Sequence, residues 1–208
     1  EFRRVLFRSL EEVGIDTETH KAWIDWFLEL PLWIDEPGFR VVHACWSAKQ
    51  VQLLMPSLRD GAKLKRDLIP QYARKGNDLY DAIEIILKGV EIDLPRGVSF
   101  KDKEGIPRHS MRTRWWDPTI STYRNAYMGP PGAEIPNTPL PAEIPILEAP
   151  DRPTFIGHYW LDPASPLEPR SERVACVDYS VAKNGPLVAY CFDGESSLSR
   201  EKFVSTRG

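Results

Sequence analysis

Residues 39–50 read FRVVHACWSAKQ. Val41 and Val42 are β-branched and favour a strand, and Ser47 is suited to cap a following helix. The apolar strand therefore ends on a histidine, His43. The chain repeats this at residues 153–160, PTFIGHYW, where Ile156 and Gly157 lead into His158. Strand ends hold side chains rigidly, and in open α/β sheets the chemistry gathers there. Neutral imidazole is a common protein ligand for borderline metals. A separation of 115 residues is not a diagnostic spacing, so from pattern alone the two rings are either metal ligands or satisfied core histidines. His20, on the polar face of a helix, and His109, in a basic hairpin, read as solvated surface.

Around these strands the periodicity alternates between helix and strand. Thr17 caps a helix running to about Leu30, with Trp23, Trp26, Phe27 and Leu30 at helical spacing in one apolar stripe, and Pro31 stops it. Leu32–Ile34 and Phe39–His43 read as strands joined by a Pro-Gly turn. A second helix is expected from Ser47 through Leu58, with Val51, Leu54, Met55 and Leu58 inward. A third is capped by Asn77, carries Leu79, Ile83, Ile86 and Leu87 on its apolar stripe and ends at Gly89. Residues 98–116 read as a hairpin about Lys103-Glu104-Gly105. Residues 96–114 hold six basic residues against two acidic ones, a local charge of +4 in a chain of net charge −3. Residues 128–153 contain eight of the 19 prolines and are expected to form a long irregular segment. The runs RVACVDYSV and PLVAYCFDG are expected to form a hairpin across AKNG, residues 182–185. Buried strands separated by helices suggest a layered α/β domain.

Composition narrows the class. The chain has 208 residues, 42% apolar and 27% charged, a globular balance large enough for one sizeable core. No apolar run approaches the roughly 20 residues that span a bilayer, so no membrane association is expected. Cys45, Cys176 and Cys191 are odd in number and lack CxxC spacing. They read as buried free thiols of a reducing, cytoplasmic compartment. Residues 1–9, EFRRVLFRS, look like one reading frame of a sequencing-library adapter and are set aside as non-native. Natural sequence is then expected to be missing upstream of Leu10. Adjacent residues on a strand face opposite ways, so one of Trp115 and Trp116 is expected in the core, while the other either packs there as well, the usual fate of such rings, or offers a surface on which a base could stack.

Four strings in order resemble the second half of a calcineurin-like metallophosphoesterase, in the serine/threonine phosphatase and diadenosine-tetraphosphatase branch. LELPLWIDEPGFRVVHACW (28–46) resembles the strand ending in that family's VHAG histidine, and RTRWWDP (112–118) resembles its Trp-Asp-Pro segment. PTFIGHYW (153–160) resembles its GH motif, and ACVDYSVAKNGPLVAYCFDGE (175–195) resembles its closing strand pair. The resemblance covers residues 10 to about 204. The family's GDxHG, GDxxDRG and GNH[ED] motifs are absent, and KGND at 75–78 reads as a helix cap. Residues 10–208 are therefore expected to be the C-terminal part of one αββα sandwich domain with a mixed sheet and a long Pro-rich loop.

The resemblance implies a phosphoesterase acting on phosphate esters or nucleotide polyphosphates, in which two divalent ions (manganese, iron, zinc or similar) share an attacking hydroxide. His43 and His158 would ligate one of them. Arg124 would contact the substrate phosphate, with Arg114 as second choice; a solvated arginine is an equal reading of each. Small phosphate-containing molecules or phosphoproteins are the expected substrates, and this part alone is expected to be inactive. The competing reading is a non-catalytic nucleotide or nucleic-acid binding module that uses the basic hairpin and the tryptophan pair. The family's glycine after His-Ala is Cys45 here, and its Asp-Thr-Gly is Asp178-Tyr179-Ser180.

Overall fold

A computed structural model describes residues 12–102, 105–142 and 149–206. Residues 1–9, the turn residues Lys103 and Glu104, and residues 143–148 of the Pro-rich segment lie outside it. In chain order the elements are helix α1 (Glu18–Glu29), strands β1 (Trp33–Asp35) and β2 (Arg40–Val42), helix α2 (Ala48–Leu54) and strands β3 (Leu58–Arg59) and β4 (Lys63–Leu64). Helices α3 (Ile69–Tyr72) and α4 (Asp78–Lys88) follow, then β5 (Glu91–Asp93), β6 (Phe100–Lys101), β7 (Pro107–Arg108) and β8 (Ser110–Thr113). Helix α5 (Tyr123–Ala126), β9 (Tyr127–Met128), β10 (Thr154–Ile156), β11 (Val174–Cys176), β12 (Val188–Tyr190) and β13 (Phe203–Ser205) complete the chain. The fold is mixed α/β, with several small sheets.

The central sheet has the order β1-β2-β10-β11. β1 runs antiparallel to β2, while β2, β10 and β11 are mutually parallel. Trp33 pairs with Val42, Thr154 with Arg40 and Ile156 with Cys176, so one face carries Trp33, Val42, Ile156 and Cys176. These side chains join Leu54 of α2 and Ile83 and Ile86 of α4 in the main core. The opposite face carries Phe155, which packs on Tyr190 and Phe192 at centroid distances of 5.2 and 5.6 Å. The buried cation Arg40 fixes the start of β2. It pairs with Asp35 at 2.8 Å and with Asp151, and its guanidinium lies 4.1 Å over the Trp46 ring.

The caps follow the sequence. Thr17 accepts from the His20 amide, and Asn77 accepts from that of Leu79. Gly89 ends α4 at φ +88°, where a Cβ would collide with the Tyr159 hydroxyl.

Several expectations are corrected. The second helix stops at Leu54 because Pro56 redirects the chain into a single 3-10 turn, so Met55 is exposed and Leu58 begins β3. The hairpin of residues 98–116 is only β6 with β7; β8 pairs instead with β5 and β9. The hairpin across residues 182–185 does not form. β11 is paired along β10 and β12 along β13, while Ser180 and Asn184 take left-handed conformations around a 3-10 turn. Trp115 and Trp116 are both buried, at 1% and 3% exposure, which agrees with the core reading of the pair and leaves no stacking surface on it. Cys45 and Cys176 are buried free thiols as expected, but Cys191 is exposed.

The stripe of α1 also has an unexpected orientation. Trp23, Trp26, Phe27 and Leu30 point to solvent, and only Leu28 is buried. The helix is held by polar contacts: Arg66 pairs with Asp25, and Arg59 and Lys63 each reach Glu29 at 3.0 Å.

Candidate metal centre

The three parallel strands end on the same edge of the sheet, and each delivers a polar residue there. His43 follows β2 directly, while His158 and Asp178 lie two residues past β10 and β11. Backbone bonds hold these ends in register: the Gly157 amide donates to the His43 carbonyl at 2.9 Å, and the Val177 amide to that of Ile156 at 2.9 Å. The two imidazoles, 115 residues apart in sequence, stand with ring centroids 5.1 Å apart and planes inclined at 54°.

His158 is held there against its backbone preference. Its φ is +68°, and the Tyr159 amide donates back to the Gly157 carbonyl at 2.8 Å. A positive central φ closed by an i to i+2 bond is the rare, strained γ-turn. Tyr159 anchors the turn from within: it is buried against Gly89 and meets the Trp116 ring edge-on at 5.3 Å. On the other side, the Trp115 indole donates to the Ala44 carbonyl at 3.1 Å, beside His43. The buried tryptophans thus buttress the loops that carry both histidines.

The environment keeps both rings neutral. Burial lowers the His158 pKa to about 3, helped by the positive charge of Arg112, by His43 and by Lys88. Partial desolvation also lowers that of His43, opposed by the nearby Asp178 carboxylate. Neutral imidazole is the form with a free lone pair. The Nε2 of His158 is buried and has no hydrogen-bond partner among the described residues. A buried polar atom without a partner is costly and calls for an explanation. Burial pushes the Cys45 thiol well above its ordinary value and that of Cys176 to about 11, which keeps both protonated and makes them poor donors.

The side-chain hydrogen bonds of the expected arginines run to other segments. Arg124 donates to the Ile135 carbonyl at 3.0 Å, and Arg114 reaches the Tyr127 carbonyl at 3.4 Å; both are exposed. The cations that act on His158 are instead Arg112 and Lys88, paired with Glu91 and Glu84 respectively. Arg112 and Asp178 were missed in the sequence. Arg112 lies on β8 in the same basic run as Arg114, which falls just past the end of that strand, so the run itself does not single out one of them. Among the described residues, no three His, Cys, Asp or Glu side chains come together to hold a metal, and no helix is long and apolar enough to cross a membrane. His20 accepts from the Asp16 amide at 3.2 Å through Nδ1, and His109 is exposed. Compared with protein-family models, with curated proteins and with solved structures, the chain matches none.

Proposed function

We propose that this chain is the C-terminal part of an αββα metallophosphoesterase domain and that His43 and His158 are its contribution to a binuclear metal centre. The observation that carries this reading is the meeting of two neutral imidazoles, 5.1 Å apart, at the carboxyl ends of the adjacent parallel strands β2 and β10. The buried, unpartnered Nε2 of His158 fits a lone pair kept for a cation. His43 and His158 would hold the same ion, and the remaining donors would come from sequence upstream. When bound, divalent ions supply a nucleophile at neutral pH and Lewis-acid polarisation of the phosphoryl group. The residues of this chain orient the rings, keep them unprotonated and place positive charge beside them. Arg112, which reaches Glu91 at 3.4 Å, joins Arg124 and Arg114 as a candidate for the phosphate contact, because a guanidinium recognises phosphate through paired hydrogen bonds. The substrate would be a phosphate ester or a nucleotide polyphosphate.

Calorimetric titration with Mn²⁺ tests this. The chain is expected to bind one ion, and His43→Ala or His158→Ala to weaken binding at least 10-fold, while His20→Ala and His109→Ala leave it unchanged. Equal effects of all four substitutions would overturn the assignment.

A further inference from the structure

Beyond His158 the same loop carries a second strained residue. Trp160 has φ +46°, so left-handed conformations flank the buried Tyr159 on both sides. Such conformations persist only where the surroundings enforce them, and they cluster at functional sites. Here Tyr159 is locked into the core, which leaves His158 and Trp160 both half-buried on the carboxyl edge of the sheet. Trp160 is also tied to the loop after β11. The Leu161 amide donates to the Asp178 carbonyl at 2.9 Å, and the Ser180 hydroxyl donates to the Leu161 carbonyl at 2.9 Å. From that loop the exposed Lys183 places its ammonium 4.7 Å from the centre of the Trp160 ring. One face of the half-buried indole is thus met by a side chain from an exposed loop rather than by the core.

We propose that Trp160 is the base-stacking platform of this site and that the substrate class is a nucleoside phosphate, with its phosphate toward the histidine pair. The proposal rests on the phosphoesterase reading for the place of the phosphate, and on Trp160 alone for the base. An exposed cation–π contact is weaker than the stacking of a nucleobase on an indole, so a base displaces Lys183 from the ring. The buried Trp115 and Trp116 cannot serve this purpose, whereas Trp160 lies two residues from His158.

The test is calorimetry on the 208-residue chain with adenosine 5′-monophosphate and ribose 5-phosphate, with Mn²⁺ present and absent. Adenosine 5′-monophosphate is expected to bind roughly 10-fold more tightly than ribose 5-phosphate. Trp160→Ala should abolish that ratio, and Trp160→Phe should keep most of it. Far-UV circular dichroism and a denaturation midpoint verify that each variant is folded. Equal affinity for the two ligands, no binding of either at millimolar concentration, or an unchanged ratio in Trp160→Ala would each overturn the proposal. If Mn²⁺ binds through the histidines but no base preference exists, the stacking platform alone fails. If the base preference is present but Mn²⁺ does not bind, the metal assignment fails and the platform stands.

Discussion

His158 concentrates the tension between stability and function. Three of its features work against the folded state: a left-handed backbone, a buried Nε2 without a partner, and a pKa lowered to about 3. A left-handed conformation costs a non-glycine residue about 1–2 kcal/mol. His158→Gly is therefore expected to leave the chain at least as stable as the parent in urea titrations while removing metal binding. A marked loss of stability would mean that the ring is there for packing. The lowered pKa also fixes a pH dependence. The unfolded chain takes up this proton near pH 6.5, whereas the folded chain holds the ring neutral until about pH 3. Between those values the unfolded state binds more protons, so stability falls as pH drops through that window. Denaturation midpoints measured from pH 7 to pH 4 should show this slope, and His158→Gln should flatten it. An equal slope in both proteins would mean that other groups cause it.

Among the elements, the same residue type has opposite fates. Trp115 is buried and donates to Ala44, so Trp115→Ala is expected to cost about 3–5 kcal/mol. Trp23 and Phe27 are 48% and 55% exposed on α1, and replacing either with Ser should change stability by less than about 1 kcal/mol in the same assay. Gly89→Ala should be costly, because φ is +88° and the Tyr159 hydroxyl fills the space. Local features of this kind were legible in the sequence: the Thr17 and Asn77 caps, the Gly89 stop and the two strands ending at histidines all depend on neighbouring residues. The hairpin across Asn184-Gly185 was not, because turn chemistry favours a reversal without saying which strands pair, and β11 had a partner in β10. The outward stripe of α1 was illegible for a similar reason. Periodicity defines an apolar face, but Arg59, Lys63 and Arg66 decide which side of the helix meets the protein.

At the scale of the molecule, the parallel pairing of β2 with β10 brings two distant strings side by side. The sequence suggested both histidines but contained nothing that measures their separation in space. Nor does the sequence show that Arg112 and Lys88, 24 residues apart, both place positive charge where it lowers the His158 pKa. Two imidazoles do not make a binuclear centre, so the 208-residue chain is expected to show no metal-dependent hydrolysis of p-nitrophenyl phosphate above a no-protein control. Robust turnover would contradict its reading as part of a larger domain. The central claim is that His43 and His158 share one cation, and it is tested most directly by proton NMR of the histidine rings during titration with substoichiometric Mn²⁺. The account predicts that the resonances of His43 and His158 broaden together and first, ahead of those of His20 and His109. Broadening of only one of the pair, or of all four rings in parallel, would contradict it.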